Sequence, residues 1–178
     1  MRGTSGDYGR FGEEGAIGGP IIKDKLMARF AIVNRDYDGQ YYNGRTNNPT
    51  GGYQYYDMRG QILAKPIENL SILIKMHTGR NKTMVPIDHV GLLDGGMDAQ
   101  GYVQTSSRNI QNNGRTDATT RRSGLSVNAK YDFEGGWSLA DIFAPEWNYF
   151  NVFSDDDASP APIDYLAHIG VCHWVFRY

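Results

Sequence analysis

The sequence predicts an all-β protein, an antiparallel up-and-down meander, on three observations. The first is residues 26–35, where Leu26, Ala28, Phe30 and Ile32 alternate with Met27, Arg29, Ala31, Val33 and Arg35. A period of two is what a pleated strand shows when its two faces meet different surroundings. The second is composition: 22 glycines and 12 tyrosines in 178 residues, with many Asn and Thr, favour strands and turns over helices. The third is that short turns alternate with long loops along the chain. An apolar row backed by arginines has two physical solutions. Either the row faces a soluble core, or it faces lipid while the arginines face a wet interior.

Each element can be justified in turn. Residues 1–11 read as the tail of a strand or a loop. Residues 13–22 form a glycine-rich strand with Ile17, Gly19 and Ile21 on one face. Lys23-Asp24-Lys25 is a tight polar turn into the 26–35 strand. Residues 44–52 (GRTNNPTGG) are a loop by composition, since Asn, Pro and Gly break strands. In the strand 53–65, Tyr56, Met58, Ile62 and Ala64 share one face, and Asp57, Arg59, Gln61 and Lys65 the other. Residues 66–70 turn the chain, and 71–77 continue with Ile72, Ile74 and Met76 opposite Ser71, Lys75 and His77. A loop is expected over 80–121, with a short helix around its Val-Gly-Leu-Leu patch. The pattern returns at 123–133, where Leu125, Val127, Ala129, Tyr131 and Phe133 alternate with Ser126, Asn128, Lys130 and Asp132. Gly135-Gly136 makes a short turn, and Trp137 opens another strand. Residues 141–146 fit that strand poorly, because Pro145 lacks the donor a ladder needs.

The asymmetry of the connections points to a membrane. Turns at 23–25 and 66–70 are short, while the loops at 44–52 and 80–121 are long, as in barrels with short periplasmic turns and long extracellular loops. No run of eighteen apolar residues exists, and the best candidate, 26–33, is cut by Arg29. Membrane-spanning helices are excluded; barrel strands, whose signal is weak and alternating, are not. Tyr37, Tyr41, Tyr42, Tyr53, Tyr55 and Tyr56 gather at the long-loop end, with Trp147, Tyr149 and Phe150 at a similar end, as an interfacial aromatic belt requires. The fold class expected is therefore a partial transmembrane β-barrel of seven or eight strands. Its interior face would carry Arg29, Arg35, Asp57, Arg59, Gln61, Lys65, Lys75, Asn128 and Lys130.

Gly19-Pro20-Ile21, Asp24-Lys25-Leu26, Arg29, and Arg35-Asp36 followed by Gly39 and Asn43 stand in an order that resembles the early barrel of the TonB-dependent outer-membrane receptors. Trp147-Asn148-Tyr149 and the acidic stretch Asp155-Asp156-Asp157-Ala158-Ser159-Pro160 also resemble that family's continuation. The resemblance covers roughly 12–160. It implies a segment of a receptor in the bacterial outer membrane, surrounded by lipid, for active uptake of a scarce ligand such as siderophore-bound iron, a vitamin or a glycan. It also implies a plug domain and an inner-membrane TonB complex as partners, neither the plug nor the TonB-contacting box being recognisable in these residues. Receptors of this type have about 22 strands. Residues 1–164 are read as the barrel segment and 165–178 as an atypical tail. The tail's alternating Cys172, Trp174, Phe176 and Tyr178 are similar to the assembly signal of outer-membrane barrels, and a truncated or frameshifted reading frame explains them equally. The polar start at Met1 carries no signal peptide, so an exported barrel would make this an internal piece of a longer product. Two other readings stay open: a complete small barrel of about eight strands, and a soluble β-sandwich with a binding loop.

Catalytic chemistry finds little footing. His77, His89, His168 and His173 share no metal-binding spacing, and Cys172 is alone. Asp155 to Asp157 lack the spaced oxygen ligands of a calcium loop. Neither glycine cluster, around Gly6 or at 91–96, ends in the Lys-Ser/Thr of a phosphate loop. Asn81-Lys82-Thr83 matches a glycosylation sequon, a short pattern common by chance. A net charge of −2 argues against a nucleic-acid surface. The expectation is a binding and transport segment, not an enzyme, with no cofactor.

Overall fold

The structure is a computed structural model that describes residues 1–84, 109–110, 113–154 and 166–169. All regular elements among them are strands, and no helix is long and apolar enough to cross a membrane. The main sheet runs β1 (Arg2–Gly6), β2 (Arg10–Ile22), β3 (Leu26–Tyr37), β6 (Tyr53–Ile67), β7 (Leu70–Met84), β9 (Asp117–Asp132), β11 (Glu146–Ser154) and β12 (Leu166–Ile169), each antiparallel to the next. β10 (Ser138–Phe143) pairs with the other half of β9. A small sheet joins β4 (Tyr41–Asn43), β5 (Asn48–Thr50) and β8 (Asn109–Ile110). The fold is thus an all-β antiparallel meander. Its main sheet is open among the described residues, with β1 and β12 at its two edges.

Several boundaries differ from the sequence expectation, each for a local reason. Of the two alternatives for residues 1–11, strand or loop, residues 2–6 take the strand and pair with β2 as a hairpin, with Tyr8 and Gly9 supplying positive φ at the turn. The turn at 23–25 stands as expected, with Asp24 at φ 60° and Lys25 donating its amide to Ile22 O at 3.1 Å. The 44–52 loop contains β5, because Asn43 closes the turn by accepting the amides of Arg45 (3.0 Å) and Thr46 (3.3 Å). The turn after β6 is only Glu68 and Asn69; Pro66 is accommodated beside a register shift between Ala64 and Ile67. β7 runs past His77 to Met84, and β9 begins at Asp117, so the long loop is shorter at both ends than 80–121. The helix expected near 90–93, the acidic stretch 155–160 and the alternating residues 172–178 lie outside the described residues.

The largest correction concerns Pro145. β10 and β11 hold one continuous register on β9: Phe143 faces Val127 and Glu146 faces Gly124, with no residue gained or lost between. Residues 138–154 therefore behave as a single strand interrupted only at Ala144 and Pro145. The proline is tolerated because its carbonyl still accepts the Leu125 amide at 3.1 Å. Only the bond that its own missing amide would have given is lost.

What the sheet buries is unusual. The buried positions are Gly12, Gly39, Asn43, Thr50, Gly52, Asp117, Thr119, Gly124 and Pro145. No Leu, Ile, Val, Phe, Met, Tyr or Trp among the described residues is fully buried, whereas soluble domains put these inside. Every extensive strand contact is between hydrogen-bonded neighbours, so no second layer covers either face among the described residues.

Candidate functional site: the two faces of the sheet

Register assigns each side chain to a face. One cross-strand row reads Ile17, Phe30, Gly60, Met76, Leu125; the next reads Gly19, Ala28, Ile62, Ile74, Val127, Phe143. Ile32, Met58 and Trp147 lie on the same face toward the loop end, and Tyr131 and Leu139 toward the turn end. Many of these side chains are open to the surroundings: Ile17 at 76 %, Leu139 at 64 %, Phe143 at 52 % and Met76 at 47 % exposure. The apolar face is contiguous across six strand positions and is broken toward the turn end by Asp141, which pairs with Ala129 on it; its extent is far beyond the isolated exposed hydrophobics of ordinary surfaces.

Aromatic rings bracket that surface at both ends. Tyr56, Trp147 and Tyr149 stand at the loop end. Tyr131 and Phe133 stand at the other, their ring centroids 4.7 Å apart edge to face, beside the exposed Trp137. Along β9 the rows of Trp147 and Tyr131 are separated by residues 123 to 131, about 27 Å of strand. The outer rows, 121 to 133, span about 40 Å. Tilted by about 40°, these become roughly 20 and 30 Å of height. The expected belt was confined to the loop end. The second group was missed because Phe133 and Trp137 flank a turn and look like strand ends in the sequence.

The opposite face gathers the expected interior residues. Arg29, Arg35, Asp57, Arg59, Gln61, Lys75, Asn128 and Lys130 all fall on it by register, and Lys65 lies on the same face at the end of β6. Arg29 faces Gln61, which faces Lys75, in a single cross-strand row. Arg59 Nε donates to Asp57 Oδ1 at 2.8 Å, Lys130 Nζ reaches Asp132 Oδ1 at 2.7 Å, and Arg35 lies 3.8 Å from Glu14. Each of these pairs has an exposed partner, so each is worth only about 0.2–1 kcal/mol. Their effect is to hold side chains in place more than to stabilise the sheet.

A groove of about 360 Å³ opens at the middle of this face, lined among others by Tyr55, Asp57, Arg59, Gln61, Lys75, His77, Arg122 and Glu146. Two glycines make room for it. A Cβ at Gly79 would stand 3.0 Å from Asp57 Oδ2, and one at Gly124 would press into the His77 ring, 3.0 Å from Nε2. No carboxylate lies within ion-pair distance of Lys75 or Arg122 among the described residues. The groove therefore combines free cationic groups with amide and hydroxyl partners, an arrangement suited to binding polar or anionic solutes. It holds no nucleophile aligned with a base, and no cluster of three His, Cys, Asp or Glu among the described residues could hold a metal.

Sequence reasoning missed Arg122 and Glu146. Arg122 fell between the expected loop at 80–121 and the expected strand at 123–133, and Glu146 was lost with the supposed break at Pro145. Extending the alternation of β9 by one residue would have placed Arg122 beside Asn128 and Lys130 on the charged face.

At the loop end, Asp117 is 6 % exposed and is held by Arg115, whose Nη2 donates to Oδ1 at 2.9 Å, and by Lys82 at 3.7 Å. The hydrogen bond to Asp117 pushes the Arg115 guanidinium pKa further above its ordinary value. Its guanidinium also lies over the Phe153 ring at 4.0 Å. This cluster joins β7, β9 and β11 where the sheet meets its long connections.

Comparison with protein-family models, with curated proteins and with solved structures gives no match. The site stands on its register and its chemistry.

Proposed function

We propose that the chain is a segment of an outer-membrane β-barrel, of the type found in TonB-dependent receptors, that takes up a scarce small-molecule ligand. The observation that carries the reading is the inverted distribution of side chains. A broad apolar face lies open across the middle of the sheet, where Arg29, Asp57, Arg59, Gln61 and Lys75 share the other face. In water, that apolar surface would cost about 25 cal/mol per Å² left uncovered. Lipid removes the cost, and strand pairing satisfies the backbone, as any structure within hydrocarbon requires. The aromatic groups at both ends, about 20–30 Å apart in height, bracket an apolar band of about 25 Å.

The charged face then lines the interior. Arg29, Arg35, Asp57, Arg59, Gln61, Lys65, Lys75, Asn128 and Lys130 are the wet wall, and the groove around Lys75, His77 and Arg122 is where a solute would contact it. The edges at β1 and β12, open among the described residues, fit a sheet continued by further strands, as a receptor barrel with a plug and a TonB partner would have. Siderophore-bound iron, a vitamin and a glycan all remain within this ligand class.

The test is physical state. Produced without a leader, the full chain should be recovered as insoluble aggregates and return to β-sheet only with detergent or lipid. Its open apolar face, and sheet edges that are open among the described residues, both favour aggregation in water. A chain that is monomeric at high concentration without detergent would contradict the proposal and favour a soluble β-sandwich.

A further inference from the structure

Arg80 and Arg121 occupy directly opposed positions on β7 and β9, and they lie on the apolar face, not the charged one. Tyr56 faces Arg80 on one side and Tyr149 faces Arg121 on the other, so the row reads tyrosine, arginine, arginine, tyrosine. The Arg121 guanidinium lies 5.6 Å from the Tyr149 ring centroid. One row toward the middle of the sheet, the hydroxyls of Thr78 and Ser123 stand 3.0 Å apart. Like charges directly across a ladder repel, so this pairing works against the sheet unless something neutralises it. No carboxylate among the described residues does so. Asp117, toward the loops on the same face, is taken by Arg115 and Lys82. Arg80 Nε is buried without a hydrogen-bond partner, which leaves a charged group short of an acceptor.

We infer that Arg80 and Arg121 together hold the phosphate of a lipid headgroup at the loop-side boundary of the membrane, an inference that rests on the apolar face meeting lipid. Two guanidinium forks offer paired N–H donors matched to phosphate oxygens, and the neighbouring hydroxyls can donate as well. The position selects a lipid over a soluble phosphate. The row lies at the tyrosine level, immediately beyond the apolar band, where headgroups lie and where basic residues beside a membrane-spanning surface attract anionic lipid. The acyl chains of the same molecule would run along Met58, Met76 and Leu125.

The test uses the full chain in maltoside micelles, titrated with short-chain phosphatidic acid, with the matching uncharged diacylglycerol, and with inorganic phosphate. Phosphatidic acid should bind at least about tenfold more tightly than either of the others. The double variant Arg80→Gln, Arg121→Gln should lose that preference, while Lys23→Gln, at the opposite end of the sheet, should keep it. A second reading needs no variant: the phosphorus resonance of phosphatidic acid bound to the unaltered chain should show its second ionisation displaced to lower pH than in micelles alone. Unchanged affinity in a folded double variant, or no displacement of that ionisation, would overturn the inference. Inorganic phosphate binding as tightly as the lipid would overturn the lipid source. A chain that enters neither micelles nor vesicles contradicts the membrane reading and takes this inference with it. One that inserts but does not discriminate among the three probes contradicts this inference alone.

Discussion

Leu125 donates its backbone amide to the carbonyl oxygen of Pro145 at 3.1 Å, and Pro145 has no amide with which to return the bond. The ladder between β9 and the 138–154 strand therefore passes through a proline with one bond missing and no change of register. Pro145→Ala should keep the fold and change its stability by less than about 1 kcal/mol. The recovered hydrogen bond, about 1 kcal/mol, offsets the loss of proline's restraint on the unfolded chain, about 0.4–1 kcal/mol. Ile74→Pro, between β6 and β7's other partner β9, should cost about 3 kcal/mol or more. Denaturant midpoints in detergent compare the two; a large loss at 145 would mean that the proline shapes the strand.

The same residue shows how far the sequence could be read. Period-two alternation placed β3, β6 and β9 and assigned all nine interior candidates to one face, because a strand's two faces are written directly in its residue order. Breaks were harder. Pro145 and Pro49 both look like terminators, yet Pro49 sits in β5 and Pro145 interrupts the ladder between β10 and β11 without shifting its register, since one missing donor does not abolish a ladder whose other bonds are made. The groove was legible only in part. Lys75 and Arg59 were visible as polar-face residues, whereas the space between them depends on Gly79 and Gly124, whose neighbours come from strands distant in sequence.

Gly52 is a second place where backbone geometry excludes a side chain. A Cβ there would collide with the Tyr37 carbonyl oxygen and crowd Asp38, whose backbone atoms cannot move aside as a flexible side chain could. Gly52 O also accepts the Met84 amide at 2.8 Å, tying the start of β6 to the end of β7. Gly52→Ala should destabilise the protein by about 2 kcal/mol or more. Faster amide exchange at Met84 and Tyr53, with the middle of β6 unaffected, would locate the damage at the loop end. Unchanged exchange at both residues would show that the approach is looser than the geometry implies.

Asp117 is the anchor of the loop-end cluster. Asp117→Ala leaves Lys82 and Arg115 without their carboxylate, and Lys82 is the more enclosed of the two, at 25 % side-chain exposure against 58 %. The expected loss is about 2 kcal/mol, discounted from a fully buried pair because Arg115 reaches water. Arg115→Ala should cost less, since Lys82 still partners the carboxylate. Thermal unfolding of the two variants in the same detergent checks the order; equal losses would place Asp117's value in Arg115 alone.

Ile62 and Gln61 are neighbours in β6 that point to opposite faces, in the rows of Ile74 and Lys75 respectively. An arginine on the lipid face near mid-membrane costs about 2–4 kcal/mol, whereas the interior can hydrate it. Ile62→Arg should therefore block folding into lipid vesicles, and Gln61→Arg should be nearly neutral there. A soluble core would also reject arginine at 62, so the decisive reading is contact with lipid itself. A fluorescent label at each position, read against a quencher confined to the acyl chains, measures that contact directly. Strong quenching at 62 with none at 61 is the predicted result; no quenching at either position would contradict the membrane barrel.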